Sequence, residues 1–361
     1  MSWKRKRKPS ARLGASPRDR RRRSLRCRSK NIARVPQAEL SGEDRRWLAA
    51  AAALAERARP LSRPNPGVGA IILRDGKVAG RGWTQPGGRP HAEAMALAEA
   101  GDGAKGATLY VTLEPCAHRS PRGPSCSDLV AVAGVARAVI GMQDPDPRTA
   151  GAGLARLADE GLKTVDAGLG SAELGLEGHT MHVLEGRPHV TLKLALSLDG
   201  CIATASGESQ WITGEITRRH VHRERARADA ILVGGETLRH DTPRLDVRLP
   251  ALAERSPERW VLSRSDAPDG WARLTSPGAI RDMTDIRYLF VEGGAAAAAA
   301  FLSEDMVDCL LLYRAPILLG DGRPGLADIG LEDLSSAHRR WTRKDLRVLG
   351  QDTLEILGRT R

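Results

Sequence analysis

The chain has 361 residues, a mass of 38.9 kDa, 41% hydrophobic residues and a formal net charge of +12 with a pI near 10.0. That length exceeds one ordinary core and suits two domains, and no apolar run is long enough for a transmembrane helix, so none is expected. Residues 1–35 hold 15 Lys or Arg against one acid, Asp19, whereas the remaining 41 bases and 43 acids nearly cancel, so a globally basic, nucleic-acid-binding body is excluded as well.

Residues 1–40 read as a disordered basic arm. They lack the apolar stretch of a secretory signal and carry charge blocks such as Arg20 to Arg23. Ser41 can cap a helix that runs to about residue 57. Residues 68–73 and 78–83, split by a turn at Asp75-Gly76, predict a hairpin. His91 opens a helical segment, 108–113 is a continuous apolar strand, 126–135 is helical, 136–141 is a strand and 150–161 a helix. Residues 168–186 read as a connection with some helix. A second α/β pattern begins at His189. It comprises a strand entering Asp199-Gly200, a helix over 216–227, the strand 230–233, a strand over 285–291, an Ala-rich helix at 295–303, a strand pair over 310–319 and final strand material over 346–357. The domains expected are therefore the arm, 41–187 and 188–361.

Five cysteines are an odd and sparse set for a chain of this length, which argues against a disulfide framework and fits a reducing cytoplasm. Cys201 and Cys309 read as small core residues, and Cys27 lies in the arm. Cys116 and Cys126 differ, because they share a Pro/Gly-rich loop downstream of His91-Ala-Glu93. One imidazole and two thiolates suit Zn²⁺ with a fourth position left for water. Bound zinc brings the pKa of that water towards about 7. Glu93, two residues after His91 at a helix start, can move the water proton without being a ligand. In the second half, Gly234-Gly235 follows one apolar strand and Glu292-Gly293-Gly294 follows another. Two such openings suit a phosphate-bearing ligand at helix starts, or serve only as turns.

The ordered set His91-Ala-Glu93, Pro115-Cys116 and Cys126 resembles the zinc-dependent nucleobase deaminases. Its second Cys stands ten residues after the first instead of three. That spacing resembles the bifunctional riboflavin-biosynthesis deaminase–reductases, with a longer loop than many members carry. Arg63-Pro-Asn65-Pro-Gly67 resembles that family's substrate loop, and LKLALSLDG, SGESQWITG, Gly234-Gly235-x-Thr237, Asp241-x-Pro-x-Leu245, Arg248 and VEGG resemble its reductase half. Two positions depart from the family pattern: Asp146 replaces an Asn, and Thr242 an Asp.

The resemblance implies a cytidine-deaminase-like three-layer α/β domain followed by a dihydrofolate-reductase-like α/β domain. It implies zinc on His91, Cys116 and Cys126, with Glu93 catalytic. Substrate would meet Asn65, Ser209, Arg225, Asp241, Leu245 and Arg248. NADPH would meet Lys193, Trp211, Gly234, Gly235, Thr237, Glu292, Gly293 and Gly294. Guanidinium forks match phosphate oxygens, which makes Arg225 and Arg248 the candidates for the ribose phosphate. The implied reactions are deamination of 2,5-diamino-6-ribosylamino-4(3H)-pyrimidinone 5′-phosphate and NADPH-dependent reduction of its ribosyl group to ribityl. The expected partner is this small molecule, with neither membrane nor nucleic acid, in a cytoplasmic enzyme that admits a homodimer. The rival expectation is a zinc deaminase of another base, nucleoside or tRNA whose reductase domain is inactive.

Overall fold

A computed structural model describes residues 40–118 and 123–361. The basic arm, apart from Leu40, and the middle of the loop between Cys116 and Cys126 lie outside the described residues. Among the described residues, no helix is long and apolar enough to cross a membrane.

Ser41 caps α1 (Gly42–Ala55), its Oγ accepting from the Asp44 amide at 3.0 Å. The expected hairpin forms as β1 (Gly69–Arg74) and β2 (Lys77–Trp83), and its Asp75-Gly76 turn takes positive φ at both residues, which suits the strand twist. There follow α2 (Ala92–Ala100), β3 (Thr108–Leu113), α3 (Cys126–Val132), β4 (Arg137–Met142), α4 (Ala152–Asp159) and β5 (Lys163–Asp166). The connection contains α5 (Ser171–Leu174) and α6 (Glu177–Glu185). Strand order is β2-β1-β3-β4-β5, antiparallel from β2 to β3 and parallel from β3 to β5.

Successive strand residues face opposite ways, which makes three layers. Ile71, Tyr110 and Val139 pack with Leu48 and Ala51 of α1. Ile72, Leu109, Val111 and Ile140 pack with Ala92 and Ala96 of α2, Val130 of α3 and Leu157 of α4. Gly80 and Gly82 let α2 lie directly on β2: a Cβ on Gly82 would sit 2.3 Å from the Ala92 carbonyl oxygen. That close approach fixes the start of α2, where His91 and Glu93 stand.

The second sheet has eight strands in the order β10-β9-β8-β11-β6-β12-β15-β14. They are β6 (His189–Leu196), β8 (Ala230–Gly234), β9 (Glu258–Leu262), β10 (Ala272–Leu274), β11 (Tyr288–Val291), β12 (Cys309–Arg314), β14 (Trp341–Leu349) and β15 (Asp352–Arg359). A small pair, β7 (Cys201–Ala203) with β13 (Arg323–Pro324), lies apart. The strands from β10 to β12 run parallel, and the β14–β15 hairpin adds an antiparallel edge. Helices α7 (Glu215–Arg225) and α9 (Ala295–Ser303) cover opposite faces: Val221 packs with Ile231, Phe290 and Tyr313, whereas Ala298 and Phe301 pack with Leu232, Leu289 and Val291. A short α8 (Gly235–Asp241) follows β8.

One expectation fails here. Residues 310–319 do not form a strand pair. Only β12 lies there, and Ala315 onwards turns away as loop. The antiparallel partner of β12 is β15, which pairs Leu311 with Ile356. The apolar run Pro316-Ile-Leu-Leu319 imitates a strand but leaves Leu318 exposed.

Candidate active sites

The first site gathers residues from three element ends on the α2–α3 side of the five-stranded sheet. His91 is the residue before α2, Cys116 follows β3 by way of Glu114-Pro115, and Cys126 opens α3. His91 Nδ1 lies 3.2 Å from Cys126 Sγ and 3.8 Å from Cys116 Sγ, and the three ligand atoms lie within 4.8 Å of one another. The backbone N–H of Cys126 points at Cys116 Sγ at 3.4 Å, and Ser127 donates from both its amide and its hydroxyl to the Cys116 carbonyl. The ten-residue spacing thus closes without moving the second thiol away from the first.

The charge of this cluster fits a divalent cation. With protons alone, the two thiols compete: the Cys126 S–H beside it holds Cys116 down at about 4 against the effect of burial, while the Cys116 sulfur and burial push Cys126 well up. Two thiolates and an imidazole in a buried pocket match the donor set of a zinc site, and a cation releases the remaining thiol proton. Glu93 is 3% exposed in the first turn of α2, and burial raises its pKa to about 6, with His91 opposing. Such a carboxyl can both accept and return a proton near neutral pH.

Asn65 completes the rim. Its Nδ2 donates to the Gly88 carbonyl at 3.0 Å and lies 3.4 Å from His91 Nε2. His118, in the loop between the two Cys, is exposed. Asp146 is paired within its own loop: Arg148 Nε lies 3.0 and 2.9 Å from its two carboxylate oxygens and holds its pKa at about 2.

A residue that sequence reasoning passed over holds this loop. Glu114 is 3% exposed and accepts four backbone N–H groups, from Asp144 (3.2 Å), Gly151 (3.0 Å), Gly153 (2.8 Å) and Leu154 (3.1 Å). It ties the 144–151 loop and the start of α4 to the strand end that presents Cys116. Its only sequence signal is a carboxylate at the end of an otherwise apolar strand. His179 of α6 closes the other side of the loop, Nε2 lying 2.8 Å from Asp144 Oδ1.

The second candidate site lies where β8 and β11, neighbours in the sheet, end side by side. In such sheets the crevice outside the strand ends is the ligand position. Gly234, Gly235, Thr237, Gly294 and Ala297 line a cleft of about 160 Å³ there. The glycines are needed for closeness: a Cβ on Gly293 would lie 2.5 Å from the Ala297 methyl, and one on Gly294 would lie 3.0 Å from Thr237 Oγ1. The Gly294 amide donates to Thr237 Oγ1 at 3.2 Å, joining the two openings. Ser263, just after β9, brings a hydroxyl beside Gly235 that was not foreseen.

Other expected residues are dispersed around this crevice. The Arg225 fork does not face outward. Its Nε and Nη2 donate to the two oxygens of Glu292 at 2.6 and 2.9 Å, and Nη1 donates to the Asp246 carbonyl at 3.0 Å. The fork assigned to a ribose phosphate is thus already filled by a carboxylate. Lys193 Nζ lies 3.7 Å from Glu292, and although burial would raise the Glu292 pKa, Arg225 and Lys193 together hold it below its usual value. Arg248 is half exposed, its Nε 3.2 Å from His222 Nε2. Asp241 is exposed at the end of α8. The Leu245 side chain is buried, at a positive φ of 54°, so any ligand contact there belongs to its backbone. Ser209 is half-buried, and Trp211 is exposed in a separate open cleft with Arg218, Ile317 and Gly350, the Arg218 guanidinium 4.8 Å from its ring centre.

Comparison with known proteins accounts for both halves. Residues 41–142 match the family described as cytidine and deoxycytidylate deaminase zinc-binding region, and residues 188–284 and 273–354 match the RibD C-terminal domain. The riboflavin biosynthesis protein RibD of Escherichia coli is 38% identical, the match covering 88% of this chain and 100% of that protein. The RibD of Corynebacterium ammoniagenes is 41% identical over 74% of this chain and 85% of its own length. Among solved structures, a diaminohydroxyphosphoribosylaminopyrimidine deaminase/5-amino-6-(5-phosphoribosylamino)uracil reductase from Thermotoga maritima has a TM-score of 0.79 at 29% identity, covering 88% of this chain and 99% of that one. RibD from Acinetobacter baumannii has a TM-score of 0.76 at 33% identity with the same coverage. A zinc-deaminase half and a reductase half, matched in order along nearly the whole chain, make it a member of the RibD family of bifunctional riboflavin-biosynthesis deaminase–reductases.

Proposed function

We propose that the chain carries out both steps on one molecule: hydrolytic deamination of 2,5-diamino-6-ribosylamino-4(3H)-pyrimidinone 5′-phosphate, then reduction of the ribosyl group. The observation that carries this reading is the buried Glu93 beside a complete His91–Cys116–Cys126 donor set, in one chain with a glycine-lined crevice at the β8–β11 ends. When bound to that donor set, zinc supplies the Lewis acidity that makes a water nucleophilic near neutral pH. Glu93 accepts the water proton on its carboxylate and returns it to the leaving amine, so water enters and ammonia departs. Asn65, at the rim, orients the ring from beside His91.

For the second step, NADPH bound at the crevice would supply the hydride for C1′, and the sugar ring oxygen takes a proton from solvent as the ring opens. The openings at Gly234-Gly235 and Gly293-Gly294 support a cofactor phosphate at a helix start. Arg248, whose guanidinium is half exposed, is the better candidate for the substrate phosphate, and Arg225 becomes a positioning residue that holds Glu292. Asp241, Ser209 and Trp211 remain assigned to the walls around substrate and cofactor. Free thiols support a cytoplasmic location. Exposed Leu346 and Val348 on β14 support a homodimer, which light scattering checks.

The test is an assay on the pyrimidine ribosyl phosphate with and without NADPH, measuring ammonia and cofactor oxidation. Both products are expected, ammonia without NADPH and oxidation only after it. Glu93→Gln should retain zinc and lose deamination by about 100-fold or more. Ammonia release at near-normal turnover by that variant would remove Glu93 from the mechanism.

A further inference from the structure

The segment between α1 and β1, residues 56–68, has no helix or strand of its own, yet it carries Asn65 to within 3.4 Å of His91. Local turns shape it: the Ser62 amide donates to the Ala58 carbonyl at 2.8 Å, and Ser62 Oγ donates to the Asn65 carbonyl at 3.1 Å. The first domain holds its inner side through the Gly87 amide on the Leu61 carbonyl and Asn65 on the Gly88 carbonyl. Its outer side is held by the second domain.

Side-chain contacts from both domains make that grip, among them Arg59 Nη2 donating to the Arg227 carbonyl at 3.4 Å. Arg255 donates to the Arg59 carbonyl at 2.8 Å and to the Arg57 carbonyl at 3.3 Å. The Arg59 guanidinium stacks 3.4 Å from the centre of the Tyr288 ring. Arg227 pairs with Glu56 at 2.6 Å. Arg63, two residues before Asn65, pairs with Glu258 at 2.7 Å, and Pro64 stiffens the link between them. Tyr288 is itself fixed, its hydroxyl on the Gly175 carbonyl at 2.8 Å and its amide on the Asp229 carboxylate at 2.9 Å.

We infer that the reductase domain is the outer wall of the deaminase substrate loop, with Arg255 and Glu258 as positioning residues that set deaminase substrate affinity. This inference rests on the reading of Asn65 as a substrate contact. Neither Arg255 nor Glu258 touches the zinc donor set or lines the β8–β11 crevice, so their effect belongs to substrate binding and not to proton transfer or hydride transfer. A loop gripped from both sides is preorganised, and releasing one side imposes an ordering cost when substrate binds. The pair Arg63–Glu258 is partly exposed and contributes little alone. The two backbone bonds of Arg255 contribute more.

The experiment uses the full-length, zinc-loaded chain and the pyrimidine ribosyl phosphate. The double variant Arg255→Met/Glu258→Gln should raise the deamination KM about tenfold, the change that about 1.4 kcal/mol of lost positioning produces. Its deamination kcat, zinc content and NADPH oxidation on the deaminated product should stay at the parent values. Exchanging the charges as Arg63→Glu/Glu258→Arg, with Arg255 intact, should keep KM within about twofold of the parent, because the ion pair is restored. Asn65→Ala serves as the reference for the substrate loop. If Asn65→Ala raises KM and the double variant does not, the substrate-loop reading stands and the inference falls. If Asn65→Ala leaves KM unchanged, both fall. A double variant that loses zinc and kcat along with KM also overturns the inference, because the contacts would then serve folding alone.

Discussion

Replacing Glu114 by Gln changes one oxygen to an amide and nothing else in shape. Each Glu114 oxygen accepts two backbone N–H groups: Oε1 takes Gly153 and Leu154, Oε2 takes Asp144 and Gly151. Whichever way the amide turns, two donors face an NH₂ group that cannot accept. Each charge-assisted bond lost in a buried setting is worth about 1.5–3 kcal/mol, and the remaining neutral oxygen accepts more weakly. The expected destabilisation of the first domain is therefore about 3–5 kcal/mol, at the high end for a single substitution. For a domain of this size that lowers Tm by roughly 6–15 °C. The assay is thermal or urea unfolding of the full chain, followed in parallel by zinc release to a chromogenic chelator. Zinc release should come early, because Cys116 lies two residues beyond Glu114, while NADPH-dependent reductase activity survives to the parent temperature. A loss below about 1 kcal/mol, or simultaneous failure of both activities, would refute the account of Glu114 as the tie of the 144–151 loop.

Arg225→Ala leaves Glu292 buried beside only Lys193, so the reductase domain should lose about 3 kcal/mol or more in urea unfolding; a raised substrate KM at parental stability would instead return Arg225 to the phosphate site. Gly293→Ala places a methyl 2.5 Å from that of Ala297 and should raise the NADPH KM several-fold while ammonia release is unchanged, as read by paired steady-state assays. Asp308 is 8% exposed, and although burial would raise its pKa, two bonds from Arg187 at 2.8 and 2.9 Å and one from the Val190 amide hold it at about 2, below the ordinary 3.8. Its folded pKa is the lower one, so its stabilisation is complete above about pH 4 and lost between 4 and 2; Asp308→Asn should cost about 2 kcal/mol at pH 7 and progressively less below pH 4 in urea unfolding.

The first domain was legible because its signals are local. The Ser41 cap, the Asp75-Gly76 turn and the apolar 108–113 run each act within a few residues. The missed β5 has four residues of which only Val165 is buried, so no apolar run marks it. The strand pair expected over 310–319 fails for a different reason: apolar content cannot distinguish a strand from a loop whose Leu318 faces solvent, and the true partner of β12 lies some forty residues away in β15.

The same distinction separates the two sites. Zinc coordination constrains residue type so strongly that His91, Cys116 and Cys126 stand out even with ten residues between the thiols. A guanidinium has no such exclusiveness, because its fork fits a carboxylate as well as a phosphate. Sequence places Arg225 near a ligand pocket but cannot say that Glu292, 67 residues on, fills its fork first. The buried pair is best understood as support: removing Arg225 strands a charge, whereas Arg248 is half exposed, with its Nε on His222. The basic arm follows the same logic in reverse. Its charges lie in residues 1–35, before both domains in the sequence, so truncating residues 1–40 should leave ammonia release and NADPH oxidation at parental rates, and loss of either would assign the arm to the enzyme.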